Sequence, residues 1–413
     1  MKRGDHPKVA HLRSAMLAHR LAPFPARMRI CLVYDCLYPY TVGGAERWYR
    51  NVAERLVAEG HEVTFLTLRQ WPRGTDPEVP GLRVVPAGPR FSLYSRSGRR
   101  RVGPPLAFGL GVLLHLLRHG RRYDVVHTAS FPYFSVLAAG VVRPLRGFGL
   151  VVDWHEVWSR DYWLEYLGGL GGRAGLAVQT ACLRVPQSAF CFAHRTAARL
   201  REEGLRGEVT VLEGEWAGAL DEPRPRPASD EVIFAGRHIP EKRVPALVAA
   251  IDVARLQAPE LSCTIFGDGP ERAHVLDEIA RRRLRDVVRA PGFVDAGEVE
   301  GALAGALCMV LPSRREGYGL IVVEAASMGV PSVVVEEPDN AAADLISDGE
   351  NGFVASSAAP ADLAEAILRV RDAGPALRDS TAKWFGRNSE RLSLASSLEK
   401  VVLAYAGPAS ARP

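Results

Sequence analysis

Between Leu307 and Val335 the chain runs apolar, polar, helical and apolar in turn, and that order restricts its architecture more than any other stretch. The apolar run Leu307 to Leu311 is stopped by Pro312 and a polar loop containing Gly317 and Gly319. A helical segment is expected from about Leu320 to Met328. Gly329 ends it and Pro331 forbids its continuation, before a second β-branched run at Val333 to Val335. Strand, loop, helix, strand is one unit of a parallel sheet. Glu316 falls in the loop and Glu324 about one turn inside the helix. Amides at a helix start, here those of Gly317, Tyr318, Gly319 and Leu320, are donors suited to an anion or to sugar oxygens. Two acceptor-only carboxylates beside them suit a ligand rich in hydroxyls. Each glutamate alone is better explained by the helix dipole or by helix propensity than by a ligand; together, with the Gly-Tyr-Gly loop between them, they point to one.

The same unit recurs along the chain. Met28 to Asp35 reads as a buried strand, followed by a loop with Gly43 and Gly44, a helix from Ala45 to about Glu59, Gly60, and a strand from His61. Gly43 and Gly44 can bring backbone amides close to a phosphate or to an acceptor. G-x-G-x-x-G opens no helix, which disfavours a dinucleotide dehydrogenase. Two further strands are expected to end at His127 and at His155-Glu156, where ligands sit in open parallel sheets. The aromatic residues Trp154, Trp158, Tyr162, Trp163 and Tyr166 can line a cleft or fill a core.

A chain of 413 residues exceeds one core. The Pro-rich stretch Asp221 to Asp230 is the clearest boundary. The expected division is a disordered tail or mis-assigned start at 1–27, an N-terminal domain at 28–215, a linker at 216–230, a C-terminal domain at 231–385, and a C-terminal helix and tail at 386–413. The tail has no apolar core of a secretory signal. No apolar run reaches 18 residues, and six scattered cysteines without C-x-x-C suit a reducing compartment.

Of 52 basic residues only five are lysines, and Lys242 is the sole lysine of the interior. Arg237 and Lys242 follow the strand Val232 to Gly236, placing two cations where a diphosphate leaving group needs neutralising. No D-x-D triplet occurs, so fixed cations in place of a metal are the consistent expectation. Arg90 to Arg122 holds eight arginines and no acid around the apolar stretch Pro105 to Leu117. A basic amphipathic helix can lie on an anionic membrane; an ordinary solvated domain face is the alternative.

Glu316-Gly-Tyr-Gly-Leu-Ile-Val-Val-Glu324, Gly236-Arg237 with Glu241-Lys242, Gly267-Asp-Gly-Pro270 and Gly43-Gly44-Ala-Glu46 together resemble glycosyltransferase family 4. The resemblance covers about residues 28 to 405. It departs at Glu213-Gly214-Glu215, where the family has Asn-Gly before an acid, and at Asp339-Asn340, where it has Gly-Gly. It implies a GT-B fold, two Rossmann-like doubly wound α/β domains with an inter-domain cleft. It also implies retaining, metal-independent transfer of a hexose from a UDP- or GDP-linked sugar, with no cofactor. Arg237 and Lys242 would then hold the diphosphate, Glu316 and residues 317 to 320 the sugar, and Glu324 the ribose. Gly267 and Phe293 would flank the nucleotide, and Gly43, Gly44 and His155 would present the acceptor. The family's second His after His127 is Ala129 here, which removes that role.

Two rivals stay open: a GT-B sugar epimerase, and a non-catalytic partner subunit of the same fold. A phosphorylase would need Lys242 for its cofactor. The expected setting is cytoplasmic, with membrane contact through residues 90–122, a glycan or lipid-linked acceptor and no nucleic acid.

Overall fold

The computed structural model describes residues 27–41, 43–72, 74, 75, 77, 79–93 and 101–406. The expectations for residues 1–26, and those for Arg96, Arg99 and Arg100 of the basic run, lie outside the described residues. The chain divides into two compact units. The first runs to Gly218 and takes in the chain again from Leu394; the second is Ala219–Ser393.

The first unit is built on β1 (Arg29–Val33), α1 (Gly44–Ala58), β2 (Glu62–Leu68), β3 (Leu82–Gly88), α2 (Gly103–His119), β4 (Val125–Ala129), α3 (Phe134–Arg146), β5 (Gly149–Asp153), α4 (Arg160–Leu183), β6 (Gln187–Cys191), α5 (His194–Glu202) and β7 (Gly207–Val211). Its seven strands lie in the order β3-β2-β1-β4-β5-β6-β7, all neighbours parallel. Parallel strands need crossovers, and helices on both faces bury the sheet, so β4, β5 and β6 are buried along their whole length. Helix α1 shows why the sequence folds so. Trp48, Tyr49, Val52, Ala53 and Leu56 fall on one buried face, while Arg50 pairs with Glu54 on the outer one.

The second unit has β8 (Glu231–Ala235), α6 (Val244–Ala254), β9 (Ser262–Phe266), α7 (Arg272–Arg281), β10 (Val288–Gly292), α8 (Ala296–Ala304), β11 (Cys308–Leu311), β12 (Arg315–Glu316), α9 (Leu320–Ala326), β13 (Ser332–Val335), β14 (Asp339–Asn340), β15 (Gly352–Ala355) and α10 (Pro360–Asn388). Six strands form a parallel sheet in the order β10-β9-β8-β11-β13-β15, and β12 pairs with β14 in a separate two-residue ladder. The final helix, α11 (Leu394–Ala406), belongs to the first unit. All six cysteines are buried free thiols, and burial pushes those of Cys31, Cys191 and Cys308 up to about 12, which leaves them inert.

Candidate functional site

In the second sheet the chain reverses its direction of winding between β8 and β11. The loops leaving the carboxyl ends of those two strands start at this switch point, the usual ligand position in open α/β sheets. Arg237 leaves the end of β8. Lys242 closes the short 3-10 turn Pro240–Lys242 that follows. Glu316, expected in the loop after β11, lies in the short strand β12, and its Oε1 forms an ion pair with the Lys242 Nζ. The two side chains are only 19% and 11% exposed, so two opposite charges face each other largely away from water. The Arg237 guanidinium is exposed and has no ion pair among the described residues.

Backbone and side-chain bonds hold these loops together. The Arg314 amide donates to the Glu241 carbonyl at 2.8 Å. Arg315, beside Glu316, pairs with Asp339 at 3.3 Å. Asn340, fully buried, donates from Nδ2 to the carbonyls of Ser313 (3.1 Å) and Val335 (2.8 Å) and accepts at Oδ1 from the Ala342 amide (3.1 Å). The departure from Gly-Gly noted at this position therefore installs a three-bond clasp between the loop bearing Glu316 and the end of β13. Arg243, at φ 48°, reaches Glu337 at 2.5 Å. None of these ties was visible in the sequence, because they join positions 2 to 94 residues apart through loop geometry.

Gly319 stands at the start of α9 with φ 99°, and a Cβ there would lie 2.6 Å from the Ala342 Cβ. Gly267, at φ 116°, brings the loop after β9 so close to β8 that a Cβ would lie 1.9 Å from the Gly236 carbonyl oxygen. Both positions thus require glycine, for approach as well as conformation. Tyr318 is buried, while Gly317, Leu320 and Glu324 are half-buried. Helix α9 ends at Ala326, two residues before the expected Met328. Phe293 is exposed and follows β10, two strands away from β8.

In the first unit Gly43 is the N-cap of α1, with the Glu46 carboxylate folded back over it. Gly44 opens the helix, facing Glu215. His155 lies two residues beyond the end of β5, not on the strand as expected. Its ring stacks on Phe192 (centroids 5.2 Å apart), and its Nε2 is buried without a hydrogen-bond partner. Burial lowers its pKa despite the Asp153 and Glu156 carboxylates, so the imidazole is neutral near pH 7. Phe192 in turn meets Trp48 of α1 edge-on.

His127 departs from the expected strand end. It is the middle residue of β4, in register with Leu32 and Val151, and is fully buried. Its Nε2 lies 2.8 Å from Asp153 Oδ1 and its Nδ1 2.6 Å from the Tyr405 hydroxyl of α11. Asp153 Oδ2 accepts from Trp48 Nε1 at 2.8 Å. Burial opposes the Asp153 charge, but His127, His155 and the Trp48 indole outweigh it and hold the carboxyl below its ordinary value. This network locks α1 and α11 onto the sheet. Asp153 and Tyr405 are the residues sequence reasoning passed over, since neither stands in a recognisable motif. Of the aromatic cluster, Trp154, Tyr162 and Trp163 are core, and Trp158 and Tyr166 are partly exposed and packed together at 5.1 Å.

Among the described residues no group of three or more His, Cys, Asp or Glu side chains is placed to hold a metal ion. No described helix is long and apolar enough to cross a membrane.

Residues 221–384 match the family model described as glycosyl transferases group 1, and residues 43–214 the one described as glycosyl transferase 4-like domain. Glycogen synthase of Mycobacterium tuberculosis is 28% identical over 369 residues, 83% of this chain and 85% of that protein. Among solved structures, sucrose-phosphate synthase from Thermosynechococcus elongatus superposes with a TM-score of 0.75 at 21% identity, over 92% of this chain and 98% of the other. Anabaena HepE in complex with UDP gives 0.68 at 15% identity, over 92% and 100%.

Proposed function

We propose that this chain, which belongs to the family 4 type of glycosyltransferases with the GT-B fold, moves a hexosyl group from a nucleotide diphosphate sugar to its acceptor with retention of configuration and without a metal. One observation carries the reading: Lys242 and Glu316 pair at the switch point of the second sheet, and Arg237, exposed and without an ion pair among the described residues, leaves the same strand end as Lys242. Arg237 and Lys242 take the diphosphate, and their fixed charge does the work a metal would otherwise do. Glu316, released from Lys242 as the phosphate arrives, accepts from hydroxyls of the sugar. Glu324 takes the ribose, and the loop from Gly317 to Leu320 surrounds the sugar with amides. The bond from the sugar's anomeric carbon to the β-phosphate oxygen breaks, and the bond to the acceptor oxygen forms on the same face. The acceptor proton passes to the departing phosphate, so no strong general base is required. A neutral, weakly basic His155 on the acceptor side suits this scheme, since its lowered pKa makes it a poor rival to the departing phosphate for that proton.

UDP is the first nucleotide to try, because the similar HepE structure holds it; GDP is the second. A lipid-linked or glycan acceptor, met at the cytoplasmic face of a membrane, is favoured over a free small molecule by the basic and apolar helix α2.

Calorimetric titration of wild type and Lys242→Ala with UDP, GDP and ADP tests the reading. One nucleotide should bind, and the variant should weaken it about 10- to 100-fold, the range for a lost charge-assisted contact. Slow leakage of sugar from the matching donor to water should accompany binding. A nucleotide bound equally by both proteins, or none bound by either, overturns the phosphate site and favours the non-catalytic subunit of the same fold.

A further inference from the structure

Helix α2 buries Phe108, Gly109, Val112 and Leu116 against the first sheet and turns Leu106, Leu110 and Leu114 outward. Spacing by four keeps those three leucines on one stripe. Its neighbour α3 continues the surface. Phe134 of α3 sits against Gly109 of α2, at a site where a Cβ would come within 2.3 Å of the Phe134 Cβ. Val141 and Leu145 lie seven and eleven residues beyond Phe134, on that same side of α3. At the other end of the pair Arg146 Nη2 donates to the Leu117 carbonyl of α2, so the two helices run together. All five aliphatic side chains are between 49% and 67% exposed. Isolated exposed leucines need no account, but five exposed aliphatic side chains on two adjoining helices do.

The charge at its edge is of one sign. Arg118, Arg121 and Arg122 are exposed where α2 ends and make no ion pair among the described residues. His119 sits among them; its pKa is lowered first by desolvation and then by Arg122, Arg118 and Arg83. No Asp or Glu occurs between Glu78 and Asp124, nor between Asp124 and Asp153, and Asp124 is taken up by Arg29 at 2.8 Å.

We infer that the outer face of α2 and α3 docks on an anionic lipid bilayer, with Leu106, Leu110, Leu114, Val141 and Leu145 entering the headgroup boundary and the arginines meeting lipid phosphates. Charge complementarity selects this occupant: a patch made to cover a second copy of the chain would bring the unopposed arginines of both copies together. The inference deepens the reading of a lipid-linked acceptor, yet its geometry stands without it, and its test uses neither donor nor acceptor.

Flotation of the full chain with vesicles of mixed phosphatidylglycerol and phosphatidylcholine, and with phosphatidylcholine alone, tests it. The protein should rise with the mixed vesicles, stay behind with the neutral ones, and be released by high salt. Leu110→Glu with Leu114→Glu should abolish flotation. Arg118→Gln, Arg121→Gln and Arg122→Gln together should weaken it about 100-fold, roughly five-fold per charge. Each variant should keep the wild-type unfolding midpoint and nucleotide affinity, since every position is exposed and none lies in the second unit. Equal flotation of wild type and both variants would overturn the inference and leave the basic N-terminal segment as the contact. No flotation of wild type would also overturn it, and a wild-type dimer split by the leucine variant would then assign the face to a second copy.

Discussion

Gly319 shows how tightly the second-unit loop is specified. Its φ of 99° lies where side chains are strained, and the Ala342 methyl fills the space a Cβ would take. Gly319→Ala is expected to cost about 1–3 kcal/mol of stability, read from the urea midpoint of unfolding, and to weaken nucleotide binding by displacing the loop around Glu316. Asn340→Ala should match it by another route. It leaves the carbonyls of Ser313 and Val335 without their donor, at about 1–3 kcal/mol for each group left unpaired in the interior. The two substitutions also separate what the sequence discloses from what it hides. Glu316 and Glu324 stood out because they lie eight positions apart on one strand-loop-helix unit, and Lys242 because it is a rare lysine in an arginine-rich chain; the fold pairs Lys242 with Glu316. The role of Asn340 was hidden, because Ser313, 27 residues away in sequence, is brought to it only by the folded loops.

At the level of elements, the strand and helix pattern was readable wherever β-branched runs alternate with Gly- and Pro-bounded helices, which is nearly everywhere in the second unit. The reading slipped where burial overrides pattern. A histidine after Tyr-Asp-Val-Val looks like a strand's end, yet β4 continues to Ala129 because Asp153 and Tyr405 satisfy His127 inside the sheet. Nothing local to residue 127 announces a partner 278 positions away. Helix α11 is thus attached to the first unit through a polar contact as well as an apolar face. Tyr405→Phe keeps the ring and removes the hydroxyl, leaving His127 Nδ1 buried without its partner. The expected loss is about 1–3 kcal/mol. Hydrogen exchange should locate it, with faster exchange in α11 and β4 and unchanged protection in β8 to β15.

Across the whole molecule, the largest pH response should come from histidines that folding keeps neutral. Among the described residues His61, His115, His119, His155 and His238 all have lowered pKa values, His115 to about 4, and burial is the leading cause in each. A group whose folded pKa is depressed binds fewer protons in the native state than in the unfolded one between the two values. Stability is therefore full above the ordinary histidine value of 6.5 and is lost as pH falls toward about 4, where the His115 contribution is exhausted. Glu59 and Glu203 are raised by burial and act in the opposite sense from 4.5 upward, but they are two groups against five. Asp153, with its lowered pKa, adds a further loss only once pH drops below its ordinary value of 3.8. The midpoint of thermal unfolding should thus fall steadily between pH 7 and pH 5. His115→Gln should make that fall shallower by up to one proton's share, about 1.4 kcal/mol per pH unit. The window matters for the proposed chemistry, because the His155 imidazole stays neutral only while the fold resists that proton. A midpoint that stays level from pH 7 to pH 5, in wild type and His115→Gln alike, would mean the buried imidazoles reach water, and His155 would then titrate like an exposed histidine.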